Sequence, residues 1–149
     1  IKEVTFVDAS RGMLDGLRAK LSNAPLPFKT EVVEADAARL PLSTGAYDCV
    51  VDTFGLCVYD EPVAVLRELG RVVKATGRIL LLENARPSNA LLGAYVDATA
   101  DFVAKNGGKG CRYDQDVEAL ARSAGLRVVR SERFGGGFFG SFELAPAPR

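Results

Sequence analysis

Residues 32–55 read VVEADAARLPLSTGAYDCVVDTFG, and the fold turns on how this stretch is parsed. Two apolar, β-like runs, Val32-Val33 and Cys49-Val50-Val51, are each followed by an acid, Asp36 and Asp52. Between them lie Leu40-Pro41-Leu42, a polar turn and the pair Tyr47-Asp48. Parallel α/β sheets bind ligands beyond the carboxyl ends of their strands, so acids placed there are candidate ligand contacts. Residues 35–47 are too polar and interrupted for a full helix and read as a loop or a short helical turn.

Upstream, residues 1–7 are rich in Val, Ile and Phe and read as a strand ending at Asp8. Ser10 is a candidate N-cap for a helix carrying Met13, Leu14, Leu17 and Leu21 on one face. Pro25 and Pro27 break that helix. Residues 29–34 and 48–53 read as the second and third strands. Downstream, Pro62 opens a helix with a stripe of Val63, Leu66, Leu69 and Val73 that stops near Gly77. The run RILLLEN, 78–84, is continuously apolar, as expected of a strand whose sheet is covered on both faces. Ser88 is expected to open a longer helix with Leu91, Leu92, Tyr95, Val96, Thr99, Phe102 and Val103 at helical spacing. The aromatic positions among them are expected to pack in the core, with closure over a substrate as the alternative. A glycine-rich loop, NGGKGCRY, follows, and Asp114 is expected to cap a last helix ending at Gly125. LRVVRSERF and FFGSFELA flank Gly135-Gly136-Gly137, a hairpin signal. The tail APAPR reads as unstructured.

The alternation is that of a single α/β domain, and 149 residues suffice for a sizeable core. Nineteen basic and nineteen acidic side chains cancel, so no overall field draws the chain to nucleic acid. Arg127, Arg130, Arg133, Lys105, Lys109 and Arg112 lack interleaved aromatics and read as solvated edges. There is no histidine, which excludes Ser-His-Asp and Cys-His catalysis and histidine metal sites within the chain. Cys49, Cys57 and Cys111 form no CxxC pair. Cys49 reads as a small hydrophobe in a buried strand, and the odd count points to reduced thiols in a reducing compartment. Cys57 could be a methyl acceptor or redox thiol, but a buried, inert cysteine is the expectation. No apolar run approaches a membrane span, and no signal peptide is visible.

The segments FVDASRGML, EADAARLPLSTGAYDCVV and RELGRVVKATGRILLLEN occur in an order and spacing that resemble the class I S-adenosylmethionine-dependent methyltransferases, in the ubiquinone/menaquinone-biosynthesis-like branch. VDTFGLCVYDEP and KGCRYDQDVEALARSAGL look closer still to mitochondrial membrane-associated methyltransferase-like proteins. The resemblance spans essentially the whole of residues 1–149. It implies a Rossmann-like seven-stranded sheet with a C-terminal antiparallel hairpin, and S-adenosylmethionine as cofactor. The family's central first strand and glycine-rich turn are missing from these residues, so they read as the portion of a methyltransferase domain from the second strand onward. The strands at 1–7 and 48–53 would then flank the missing one, leaving two open edges.

Carried over by position, Asp8 would accept hydrogen bonds from the ribose hydroxyls, since a carboxylate can take two donors at once. Asp36 would accept from the adenine amino group, with the Ala37 backbone N–H facing the ring and Met13 and Leu40 as apolar walls. Thr53 and Phe54 would stand beside the sulfonium, a cation favoured by carbonyl dipoles and an aromatic face. Asp52 is as well explained by a structural or capping role. Catalytic residues are not identifiable, and no metal is implied. Two departures stand out: Asn84 replaces a histidine common among close relatives, and Ala75-Thr76 replaces the usual Pro-Gly. Asn84 cannot act as a general base, so either the acceptor needs none or activity is lost. The resemblance therefore leaves two functions open. One is methyl transfer to a small-molecule or macromolecular acceptor. The other is a catalytically silent fold serving a mitochondrial complex or ribonucleoprotein, and a mitochondrial or otherwise cytoplasmic location goes with the pair. Any targeting or anchoring segment would lie upstream.

Overall fold

The computed structural model describes residues 1–106 and 110–148; Lys109 and the middle of the glycine-rich loop lie outside the described residues. The chain divides into two units, Ile1–Pro41 and Leu42–Arg149.

The first unit is a βαβ element. Strand β1 (Glu3–Asp8) leads into helix α1 (Arg11–Asn23) and then to β2 (Lys29–Glu34). The strands are parallel and in register from Glu3↔Lys29 to Asp8↔Glu34, as a helical crossover requires. Ser10 caps α1 as expected, its Oγ accepting from the Met13 N–H at 3.4 Å. Leu14 is buried beneath the helix, whereas Met13, placed on the same apolar face by its spacing, is 66% exposed.

The second unit runs β3 (Tyr47–Thr53), α2 (Pro62–Val72), β4 (Val73–Asn84), α3 (Ala90–Asn106), α4 (Val117–Ser123), β5 (Leu126–Phe134) and β6 (Phe139–Pro146). Its sheet has the order β3-β4-β6-β5, with β3 parallel to β4 and β6 antiparallel to both neighbours. The glycine hairpin is as expected, Phe134 and Phe139 pairing across Gly135–Gly137. Helix α2 packs on β4 and β5, and α4 packs on α2 and β5. Ile79 and Leu81 of β4 and Val65, Leu66, Leu69 and Val72 of α2 are buried in this layer. None of the described helices is long and apolar enough to cross a membrane.

Several expectations need correction. The described residues form six strands in two sheets, β1-β2 and β3-β4-β6-β5, rather than one seven-stranded sheet. Among them β1 pairs with β2 alone and β3 with β4 alone. Val73 does not extend the α2 stripe; it begins β4, which therefore starts five residues before the apolar run. The sheet is not covered on both faces at its β3 side. Val51 and Leu80, register partners, are both exposed, and so is Cys49 two residues before Val51. In α3 the buried positions are the small ones, Gly93, Val96 and Ala100, while Leu91, Tyr95 and Phe102 are exposed. That helix starts at Ala90 because Asn89, not Ser88, supplies the side-chain oxygen that accepts from the Leu91 and Leu92 N–H groups. Asp116 caps α4 through the Ala119 N–H, because Asp114 is occupied by Arg112. Ala145 and Pro146 belong to β6, with Ala145 buried, so of the described tail residues only Ala147 and Pro148 are outside regular structure.

Candidate functional site

Asp8 is the last residue of β1, and Asp36 lies two residues beyond β2. The parallel register brings the two strand ends side by side, and the Ala35 N–H donates to the Asp8 carbonyl at 3.1 Å. Each carboxylate shapes its own turn with one oxygen: Asp8 Oδ1 accepts from the Ser10 N–H (2.7 Å) and Asp36 Oδ1 from the Ala38 N–H (2.8 Å). Both acids are exposed, and no described residue donates to either Oδ2. Two acceptor oxygens are thus available at adjacent strand ends. Of the remaining residues of this set, Ala37 is half-buried, Leu40 is buried and Met13 is exposed.

In the second unit, Thr53 ends β3, and Phe54 turns the chain with φ +58°, in the left-handed region that side chains rarely adopt. The conformation has an identifiable cause. The Phe54 N–H donates to the Leu82 carbonyl at 2.8 Å. The next two N–H groups, of Gly55 and Leu56, both donate to Oε1 of Glu83 at 3.0 and 3.2 Å. A left-handed residue makes successive N–H groups converge into an anion-binding concavity, and Glu83 fills this one from the end of β4. Glu83 is fully buried, its Oε2 has no partner, and Asp52 Oδ2 is likewise buried and unpartnered. Burial pushes the Glu83 carboxyl up to about 7, and the nearby Asp52 charge pushes the same way, against the stabilising Leu56 and Gly55 N–H groups. Burial also raises Asp52, although the Tyr59 hydroxyl bonded to it pulls it down.

Gly55 is fixed by this arrangement. A Cβ there would overlap both carboxylate oxygens of Asp52 and lie 2.6 Å from the Tyr59 hydroxyl. Gly55→Ala is expected to cost about 1–3 kcal/mol, as overpacking does, and urea unfolding would show it. An alanine variant as stable as the natural chain would mean that Asp52 is not held under this turn.

The segment 110–115 fastens the same turn from the other side. Cys57 and Cys111 form a disulfide across a sequence separation of 54, which corrects the expectation of reduced, inert thiols. The Arg112 N–H donates to the Cys57 carbonyl (2.9 Å) and Gln115 Nε2 to the Leu56 carbonyl (3.0 Å). Asn84, nearly buried, donates from Nδ2 to Cys111 Sγ at 3.2 Å, which gives it a structural post at the end of β4. Of the described basic residues expected on solvated edges, three form ion pairs: Arg112 with Asp101 and Asp114, Arg130 with Glu132, and Arg133 with Glu118 while lying 5.0 Å over the Phe142 ring. The reading of the strand-end acids had no place for Glu83, Tyr59 or Gln115. Glu83 carried a signal all the same, being an acid at the end of a third apolar run.

Residues 1–81 match the family model of the methyltransferase domain, and this chain belongs to that family. It is 32% identical over 141 residues to the ubiquinone/menaquinone biosynthesis C-methyltransferase UbiE of Azotobacter vinelandii, covering 91% of this chain and 56% of that protein. The enzyme of the same name from Pseudomonas fluorescens is 36% identical over 96 residues, 64% of this chain and 38% of the relative. The chain thus spans about half the length, or less, of these curated relatives. Among solved structures, an S-adenosylmethionine-dependent methyltransferase from Aquifex aeolicus superposes with a TM-score of 0.69 at 20% identity, covering 95% of this chain and 68% of that one. The [4+2]-cyclase SpnF superposes with a TM-score of 0.76 at 14% identity, covering 99% and 67%. At such identities the structures establish the α/β methyltransferase-type fold alone, and a cyclase among them shows that fold by itself does not dictate the reaction.

Proposed function

We propose that these residues belong to an S-adenosylmethionine-dependent methyltransferase, with Asp8 and Asp36 binding the nucleoside of the cofactor. The observation that carries this reading is the pair of exposed Oδ2 acceptors at the adjacent ends of β1 and β2, in a chain of this family. Their chemistry fits the group. A ribose diol and an exocyclic amino group each present hydrogen-bond donors, and an ionised carboxylate oxygen is a pure acceptor. The local N–H bonds to Oδ1 fix each carboxylate before any ligand arrives, which lowers the ordering cost of binding. The Ala37 N–H and the exposed Met13 side chain supply a donor and an apolar surface in the same unit.

When bound, the cofactor supplies a methyl group on a positively charged sulfur with a neutral thioether as leaving group. Transfer is an in-line displacement, so the protein's task is to bind and align two reactants rather than to deliver a proton. A histidine-free chain suits that task, and the position of Asn84 under Cys111 leaves no need to assign it a base's role. Each of Asp8→Ala and Asp36→Ala is expected to weaken S-adenosylmethionine binding by about 1.5–3 kcal/mol, the range for a hydrogen bond to a charged group. Calorimetric titration checks this. Undiminished affinity in a folded Asp8→Ala, Asp36→Ala double variant would sink the assignment.

A further inference from the structure

We propose that the Cys57–Cys111 bond is a reversible redox site, opened by a dithiol reductant, with Asn84 holding the released Cys111 sulfur. Its oxidised form fastens residues 110–115 to the turn after β3, and its reduced form releases them. The inference stands on the second unit alone and does not depend on the methyltransferase reading.

The two sulfurs are not equally placed. Cys57 is 4% exposed at the end of the turn, whereas Cys111 is half-buried in a segment without helix or strand. Access helps decide which sulfur of a disulfide is attacked, so an incoming thiolate reaches Cys111. Each sulfur also has a neighbour that suits it better once the bond is open. The Phe54 carbonyl stands 3.5 Å from Cys57 Sγ, where a thiol S–H would donate to it. Asn84, nearly buried, donates from Nδ2 to Cys111 Sγ at 3.2 Å. Sulfur in a disulfide is a weak acceptor and a thiolate a strong one, so this buried donor is better matched to the reduced state. A bond that only stapled the fold would need neither neighbour.

In the first exchange a thiolate of the reductant bonds to Cys111 Sγ and the Cys57–Cys111 bond breaks. Cys57 Sγ leaves with the electron pair, takes a proton from solvent and donates it to the Phe54 carbonyl as a hydrogen bond. The reductant's second thiolate then attacks its own sulfur in the mixed disulfide, and Cys111 leaves as a thiolate facing Asn84. Two electrons pass to the cysteines, and the reductant closes to a disulfide after giving up both thiol protons.

The geometry also provides for the return. The Arg112 N–H donates to the Cys57 carbonyl, Gln115 Nε2 to the Leu56 carbonyl and the Arg86 N–H to the Gln115 carbonyl, at 2.9, 3.0 and 3.1 Å. None of these bonds needs the disulfide, so in the reduced chain they keep Cys111 near Cys57 at high effective concentration. Hydrogen bonds in an exposed segment open far more readily than a covalent link, and residues 110–115 are thereby freed without unfolding the sheet. Both states are built from the same contacts, which is what a reversible site requires.

The test uses the full chain, oxidised with glutathione disulfide and then held at graded dithiothreitol concentrations without denaturant. Thiols counted after an acid quench and unfolding are expected to rise from one to three, and to return to one on reoxidation. Near-ultraviolet circular dichroism should report a folded chain throughout. Amide exchange at Arg112 is expected to be at least about tenfold faster in the reduced chain. In Asn84→Ala the thiol–disulfide equilibrium should move at least about fivefold toward the disulfide, because the thiolate loses its donor. A bond that dithiothreitol opens only when the chain unfolds overturns the proposal, and so does equal Arg112 exchange in the two states. Both of those measurements are made on the natural chain and need no variant to fold. An unchanged equilibrium in folded Asn84→Ala overturns it as well.

Discussion

Replacing Glu83 by alanine is expected to lower the free energy of unfolding by about 3–5 kcal/mol, because two N–H groups lose their acceptor and a buried side chain leaves a void. Glutamine separates the causes. Its amide oxygen can accept from Gly55 and Leu56 as Oε1 does, and it carries no charge to bury. In the folded chain the Glu83 carboxyl titrates at about 7, above the ordinary 4.5. The folded state therefore holds this proton more tightly than the unfolded state does. The stability it confers is complete below about pH 4.5 and is lost as pH rises through about 7, a change of roughly 3 kcal/mol. Asp52, also raised by burial, adds a slope of the same sign that the Glu83→Gln variant retains. Urea unfolding of the natural chain and Glu83→Gln at about pH 4 and about pH 8 reads the difference. A glutamine variant with the natural chain's full pH slope would show that Glu83 is not the group that titrates.

Reduction of the Cys57–Cys111 bond is expected to cost roughly 2–4 kcal/mol, since the bond closes a loop of more than fifty residues and long loops lose most chain entropy. The paired change Cys57→Ser, Cys111→Ser should match the reduced natural protein. Cys49 is free and exposed, which makes the pairing countable. One reactive thiol per unfolded chain is expected before reduction and three afterwards. Three thiols without reductant would remove the disulfide from the account, and the stability of the turn at Phe54 would then rest on Glu83, Arg112 and Gln115.

What was legible in the sequence was whatever local pattern controls. Ser10 as a cap, Pro62 as a helix start and the glycine hairpin all depend on backbone chemistry within a few residues, and each is found as read. Errors arose where a residue type fits two local roles and a distant partner chooses. Asp114 and Asp116 are equally good caps in YDQDVEAL; the Arg112 side chain claims the first and leaves the second for α4. Val73 continues the α2 stripe on a helical wheel, yet its pairing with Tyr47 draws it into the sheet. Of the apolar stripe of α3 only Val96 is buried, because close packing there otherwise uses Gly93 and Ala100, which a search for large side chains passes over. Two cysteines 54 residues apart carry no spacing signal, so their bond was not readable. Of the candidate site, Asp8 and Asp36 stood out because they end apolar runs. Glu83 ends one too, but its role depends on the left-handed turn at Phe54, far earlier in the chain, which no local propensity announces.

The placement of β6 bears on how the second unit assembles during synthesis. In the chain β6 follows β5, yet in the sheet it lies between β5 and β4, pairing with Ile79–Asn84 on one side and Leu126–Phe134 on the other. Until residues 139–146 emerge from the ribosome, β4 carries an open edge and β5 has no place in the sheet. The nascent unit must therefore wait through more than fifty residues after β4 with an unzipped, largely apolar strand, the interval in which a chaperone's protection would matter most. Closure then joins segments far apart in sequence, which makes it the slow, entropy-limited step.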